Sequence, residues 1–240
     1  MMRLDKYLSE SSSYSRRDVR LLVKSGKITV NGTVAETPDQ KVETTDVIAV
    51  KGEVIRHQKY VYLMLNKPAG YISATWDKKD PVVVDLLPES FRHFEPFPVG
   101  RLDKDTVGLL LLTNDGRFDH ALMSPRKHMV KRYYAELSSP AEEQDAVIFS
   151  SGIKFKEFTA LPAKLEITSD PRKVYIELRE GKFHQVKRMC EHVGKEVLFL
   201  KRVAIGDLLL DETLQPGECR ELTPDEMALL GQQDLLCLPS

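Results

Sequence analysis

The seventeen residues from Gly100 to Gly116 constrain the fold of this chain more than any other segment. Leu109-Leu110-Leu111-Leu112 is an unbroken apolar run of the kind found in a central strand covered on both faces. Directly before it, Arg101, Asp103 and Asp105 crowd into five residues, more charge than a connecting loop needs. Directly after it, Asn114-Asp115-Gly116 carries the chemistry of a tight turn. A carboxylate fixed beside an arginine at the mouth of a buried strand is held rigidly enough to act as a nucleophile or base. The plainer reading of Asp103 is a loop aspartate that pairs with Arg101 and does nothing else.

Composition narrows the class of protein. A chain of 240 residues, 42% hydrophobic and 30% charged, suits one large or two modest globular domains. No run approaches the roughly 18 apolar residues of a membrane span, and Met1-Met2-Arg3-Leu4-Asp5 lacks a signal-peptide pattern. Cys190, Cys219 and Cys237 are odd in number and widely spaced, which fits reduced thiols better than a disulfide framework or a zinc site. A cytoplasmic protein is expected. The net charge of -1 conceals an uneven distribution. Residues 1–59 and 60–202 each carry +3 (11 Lys+Arg against 8 Asp+Glu, then 23 against 20), whereas residues 203–240 carry -7 (1 against 8). A basic body with an acidic tail remains compatible with nucleic acid, because local patches steer such a ligand.

Residues 3–50 read as a small independent unit. Leu4, Tyr7 and Leu8 fall on one face of a short helix. Ser15-Arg16-Arg17-Asp18 begins a second helix with a capping box, Val19, Leu22 and Val23 form its apolar face, and Gly26 ends it. Ile28-Thr29-Val30, Asn31-Gly32 and Thr33-Val34 predict a hairpin, and residues 42–50 a further strand. Arg3, Lys6, Arg16, Arg17, Arg20, Lys24 and Lys27 surround this scaffold, seven cations facing three acids within residues 1–30. Residues 51–59 are polar and aperiodic and read as a linker. The expected boundaries are 1–59 for the first domain with its linker and 60–240 for the second.

From Tyr60 onward short strands dominate. They are expected at residues 60–65, 131–137, 163–167, 174–179 and 197–201, with helices at 117–123, 140–149 and 184–193. Ser139 and Pro140 are the expected start of the middle helix. This order predicts an α+β body on a mixed or antiparallel sheet. His120, His128, His184 and His192 show no metal-ligand spacing, and no glycine-rich phosphate loop is present, so neither metal nor nucleotide cofactor is expected.

Read together, these segments resemble a known family. Gly100-Arg101-Leu102-Asp103-Lys104-Asp105-Thr106-Val107-Gly108-Leu109 closely resembles the catalytic motif of the pseudouridine synthases, in the branch that modifies ribosomal RNA as stand-alone proteins. The pattern of residues 3–32 is similar to the ribosomal-protein-S-four-like RNA-binding domain, whose helical face grips RNA phosphates and shape. The resemblance implies an S-four-like module joined to a body whose mixed, mainly antiparallel sheet is crossed by a central catalytic cleft. It implies that Asp103 is the essential catalytic group. Lys131-Arg132-Tyr133-Tyr134 matches a Lys-x-Tyr segment whose tyrosine lies against the target base, in register with Tyr133, while Tyr134 points to the other face. In Gly181-Lys182-Phe183-His184-Gln185-Val186-Lys187-Arg188-Met189, related families carry an arginine at Lys187 that pairs with the catalytic aspartate. Leu200 is implied near the base and Arg101 on the nucleotide. Asn66-Lys67-Pro68-Ala69-Gly70 resembles a Lys-Pro-x-Gly turn that braces the catalytic loop, so Lys67, Pro68 and Gly70, with Gly100, Thr106 and Gly108, are expected supports.

The implied reaction is isomerisation of uridine to pseudouridine by a monomer, without a cofactor. The implied substrate is 16S rRNA in a small-subunit assembly intermediate. A sister enzyme acting on 23S rRNA is the nearest alternative. A non-catalytic RNA-binding assembly factor would need the basic module but not Asp103, Tyr133 and Lys187 together. A glycoside hydrolase built on Asp103 and Asp105 would lack a sugar-stacking tryptophan nearby, since Trp76 is the only one in the sequence.

Overall fold

The computed structural model describes residues 1–123 and 129–231, so His128, Cys237 and the tail from Gln232 lie outside the described residues. The described residues form two compact units, Met1–Val61 with Leu87–Pro96, and Tyr62–Leu86 with the described residues from Phe97 to Gly231. Among the described residues no helix is long and apolar enough to cross a membrane.

The first unit runs β1 (Met2–Arg3), α1 (Leu4–Ser11), α2 (Arg16–Lys24), β2 (Ile28–Val30), β3 (Thr33–Val34), β4 (Lys41–Val42), β5 (Ile48–Val50) and β6 (Glu53–Ile55), with the one-turn helix α3 (Glu89–Arg92). Leu4, Tyr7 and Leu8 of α1 are buried with Val19 and Val23 of α2 and with Ile28, Ile48 and Val50 of the sheet. Ser15 Oγ accepts from the Asp18 N–H at 3.2 Å and Asp18 Oδ2 accepts from the Ser15 N–H at 2.9 Å. Such a cap contributes about 1 kcal/mol. Asn31 and Gly32 both take positive φ (52° and 82°), the type I′ geometry that joins β2 to β3.

Three local expectations are corrected. Residues 42–50 are not one strand but β4 and β5, because the Asp46 carboxylate takes the Glu43 N–H at 2.7 Å and turns the chain between them. Residues 51–59 are not all linker. Lys51 and Gly52 have φ of 53° and 89°, and the turn they make folds β6 back antiparallel to β5. A lysine in that conformation is uncommon, which hid the hairpin in the sequence. Glu142, not Ser139, caps the helix α5 (Glu143–Ser151), through a capping box with Asp145.

The second unit continues with β7 (Tyr62–Lys67), β8 (Phe97–Val99), β9 (Val107–Thr113), α4 (Gly116–Met123), β10 (Lys131–Leu137), α5, the small hairpin β11 (Ile153–Lys154) and β12 (Thr159–Ala160), β13 (Lys164–Ile167), β14 (Lys173–Leu178), α6 (Gln185–His192), β15 (Val197–Ile205), β16 (Leu208–Leu209), β17 (Cys219–Glu221) and α7 (Pro224–Leu229). The main sheet is mixed, ordered β13-β14-β10-β15-β9-β7-β17, and β9 runs parallel to β15 while the other neighbours are antiparallel. Leu109 to Leu112 are all buried, as a strand with a neighbour on each side and cover on both faces must be. The loop carrying Asp103 therefore enters the middle of the sheet.

Candidate active site

Strand register puts one row of residues across the sheet. Lys67 pairs with Gly108, Gly108 with Arg202, Arg202 with Tyr133, and Tyr133 with Ile176. Cross-strand partners share a face, so Lys67, Arg202 and Tyr133 lie on one side of the sheet, with Leu200 one step along β15. Gly108 keeps the row tight. Its φ is 96°, and a Cβ there would stand 2.3 Å from the Arg202 carbonyl oxygen, so no other residue fits.

On this face lies a narrow cleft lined by Arg101, Asp103, Thr106, Tyr133, His184 and Leu200, among others. Of the residues singled out in the sequence, Arg101, Asp103, Tyr133 and Leu200 thus meet in one place. Tyr134 turns to the opposite face, where its hydroxyl donates to Glu136 at 2.8 Å and its ring meets Tyr175 and Phe199 edge-on.

The loop that carries Asp103 is pinned from below. Lys67 is 0% exposed, and its Nζ donates to the carbonyl oxygens of Thr106 (2.8 Å), Pro68 (3.1 Å), Asp103 (3.1 Å) and Lys104 (3.2 Å). One ammonium thus gathers both sides of the loop. Burial pulls its pKa down from 10.5 to about 8, against Asp105 and Asp103, which favour the charged form. The Gly70 N–H donates to the Lys104 carbonyl at 2.8 Å, and Ser73 Oγ both donates to the Leu102 carbonyl (2.9 Å) and accepts its N–H (3.0 Å). Gly100 has φ of 68° and faces Met123, which a Cβ would meet at 2.8 Å.

Lys187 forms ion pairs with both carboxylates of the loop. Its Nζ contacts both Asp105 oxygens, at 2.5 and 2.7 Å, and reaches Asp103 Oδ2 only at 3.7 Å. Asp105 is therefore its direct partner, and the hydrogen bond from Lys187 holds the Asp105 carboxyl below its ordinary pKa. Spacing along the chain could place Lys187 over the loop but could not choose between two carboxylates separated by one residue.

Two members of the site were missed in the sequence. His184 takes φ of 51° at the head of α6, and its Nε2 lies 3.7 Å from Asp103 Oδ1. Arg202 is buried beneath the cleft, with Nε donating to the Leu109 carbonyl at 2.8 Å. Its Nη2 and the Thr106 hydroxyl are buried atoms without a partner among the described residues. Unpaired buried polar atoms are rare in folded proteins and mark a place where the structure holds something other than the lowest-cost packing. Lys201-Arg202 reads as a charged strand end in the sequence; only the register of β15 shows that one points into the core.

In the first unit Arg3, Lys6, Arg16, Arg17, Arg20, Lys24 and Lys27 are all exposed. Arg3 pairs with Asp5 at 2.9 Å and Lys6 with Glu10 at 3.7 Å. Among the described residues no group of three or more His, Cys, Asp or Glu gathers as metal ligands.

A basic N-terminal module, and a mixed sheet holding a braced carboxylate beside an arginine and a tyrosine, suit the RNA-directed enzyme that the sequence resemblance implies. The comparisons agree. The RNA pseudouridylate synthase family matches residues 61–192 and the S4 domain matches residues 2–48. The chain is 44% identical over 236 residues to an uncharacterised RNA pseudouridine synthase, YtzG, of Bacillus subtilis (strain 168), covering 96% of this chain and 99% of that protein. It is 38% identical over 231 residues to ribosomal small subunit pseudouridine synthase A of Escherichia coli (strain K12), covering 95% and 99%. A crystal structure of a pseudouridylate synthase superposes with a TM-score of 0.68 at 33% identity, covering 96% of this chain and all of that one. The chain belongs to the RNA pseudouridylate synthase family.

Proposed function

We propose that this enzyme converts a uridine of 16S rRNA to pseudouridine, acting in the cytoplasm as a monomer on a small-subunit assembly intermediate. The observation that carries the reading is the cleft itself, where Asp103, Arg101, Tyr133 and Leu200 converge above a row of buried supports. The 38% identity along nearly the whole chain to a small-subunit synthase supports the choice of rRNA. Residues 1–59 serve as the RNA-gripping module, with Arg3, Lys6, Arg16, Arg17, Arg20, Lys24 and Lys27 toward phosphates, and residues 60–240 as the catalytic domain.

In this reading the target uridine leaves its stack, at a cost of a few kcal/mol, and enters the cleft. Arg101 holds the extruded nucleotide, Tyr133 stacks on the uracil and Leu200 packs beside it. Asp103 acts on the sugar or the base. The bond from ribose C1′ to N1 breaks, the base turns, and C1′ bonds to C5. C5 loses its hydrogen to solvent and N1 gains a proton, so the formula is unchanged and no external group is required. Lys67 fixes the height of the Asp103 loop. Lys187 neutralises Asp105, leaving Asp103 as the carboxylate facing the cleft.

Tritium release from rRNA labelled at uridine C5 tests the proposal. Release from 16S rRNA or its assembly intermediates, and not from 23S rRNA, is expected. Release from 23S rRNA alone overturns the substrate and keeps the chemistry, and release from neither overturns the function.

A further inference from the structure

Phe183 is a large aromatic ring left in water at the rim of the cleft. It is 73% exposed, whereas its neighbours in sequence, Lys182 and His184, both line the cleft. Trp76, the other highly exposed aromatic side chain among the described residues, does not line that cleft. Exposing a phenylalanine this far forgoes burial that the hydrophobic effect would favour, and a ring so placed beside a cleft is suited to a flat partner.

The ring is also held in place. Phe183 stacks on the His184 imidazole with centroids 3.8 Å apart and planes 19° from parallel. The loop beneath is tied by Gln185, whose side chain is buried. Its carbonyl oxygen accepts the Lys182 N–H at 2.9 Å, and its amide donates to Glu180 at 2.7 Å. His184 in turn stands 3.7 Å from the Asp103 carboxylate. The aromatic pair thus adjoins the reacting group, and one face of the Phe183 ring is covered by His184 while the residue as a whole stays open.

We propose that Phe183, backed by His184, is a stacking platform for the nucleobase next to the target uridine in the RNA strand. The inference rests on the functional reading above. When a uridine leaves its stack, its neighbour loses a stacking partner, and an aromatic face at the mouth of the cleft replaces it. The exposed Lys182 and Arg101 flank the platform with positive charge suited to the phosphates on either side of the extruded nucleotide. Stacking accepts any base, so Phe183 contributes to capture of the unstacked conformation and favours large purine neighbours over pyrimidines. Phe183 is a positioning residue; it does not touch the reacting atoms.

The test compares wild type, Phe183→Ala, Phe183→Leu and Phe183→Trp in single-turnover tritium release from C5-labelled 16S rRNA, at varied enzyme concentration. Filter binding of the same RNA is measured in an Asp103→Asn background with and without Phe183→Ala. Loss of an aromatic–base stack lowers the maximal rate divided by the half-saturating concentration by roughly 5- to 150-fold in the alanine variant. Leucine keeps apolar bulk and does not rescue, whereas tryptophan restores at least wild-type values, a pattern that a merely structural role would not produce. Equal values for wild type and Phe183→Ala, or full rescue by leucine, overturn the platform and leave the functional reading intact. If the wild-type enzyme releases no tritium, the functional reading fails, and the platform is then decided by filter binding alone. There, at least a threefold weakening by Phe183→Ala sustains it, and unchanged affinity overturns it.

Discussion

Replacing Lys67 by methionine separates positioning of the catalytic loop from chemistry. The side chains are alike in length, so the substitution removes the charge and three donor protons while leaving little cavity. The ammonium reaches four carbonyl oxygens at 2.8–3.2 Å, three of them on residues 103, 104 and 106. Hydrogen bonds to a charged group contribute about 1.5–3 kcal/mol each, so three come to roughly 4–9 kcal/mol gross. Keeping an ammonium out of water costs several kcal/mol, which methionine recovers. The net loss expected is about 2–4 kcal/mol, or roughly 5–15 °C in Tm for a unit of this size. The larger effect falls on the rate. With its carbonyls unpaired the loop shifts outward, and a displacement of about 1 Å at the reacting group costs on the order of 100-fold. Thermal unfolding and single-turnover tritium release measure both, with half-saturation by RNA staying within about threefold because the basic surface is untouched. A variant with Tm within 1 °C and rate within threefold of wild type, both limits being of the order of measurement scatter, would refute the argument that Lys67 holds Asp103 in place.

Further outcomes follow from the same geometry. Gly108→Ala places a side chain at φ of 96° and 2.3 Å from a backbone oxygen. It should destabilise by about 2–5 kcal/mol in urea unfolding, the sum of left-handed strain and overpacking. Lys187 lies closer to Asp105 than to Asp103, so Asp105→Asn should cost less than about tenfold in rate while Lys187→Met costs about 100-fold, since losing the cation leaves two close carboxylates repelling each other. The depressed pKa of Lys67 fixes a sign for stability against pH. Between about 8, its value in the fold, and 10.5, its ordinary value, the unfolded chain binds a proton that the folded chain does not. The stability of wild type relative to Lys67→Met should therefore rise as pH increases through that window and stay flat below it, in denaturation at matched ionic strength. A difference that falls with pH would contradict the assignment.

Much of this architecture is legible in the sequence where the signal is local. The Ser15–Asp18 capping box, the Asn31-Gly32 hairpin and the apolar run at 109–112 each follow from short-range chemistry, and each forms in the structure. The motif around Asp103 is contiguous, so its place at the mouth of β9 could be read directly. What escaped the sequence depends on partners far along the chain. Lys51-Gly52 carries a turn because β5 and β6 pair around it, although lysine seldom takes that conformation. Arg202 is buried because the register of β15 aligns it with Tyr133 and Gly108, which no local pattern reveals. The preference of Lys187 for Asp105 is a matter of side-chain reach across 82 residues. His184 joins the site through a left-handed backbone that its neighbours in α6 do not announce.

Conversion of Asp103 to asparagine isolates the catalytic role of this carboxylate, because the two side chains have the same shape and differ in the charge that can act on the nucleotide. Single-turnover tritium release and filter binding on the same rRNA provide the readout. A loss of at least 1,000-fold in rate is expected, on the order seen when a nucleophile or base is removed, with RNA affinity unchanged within about threefold. Retained turnover in the Asp103→Asn enzyme would contradict that role.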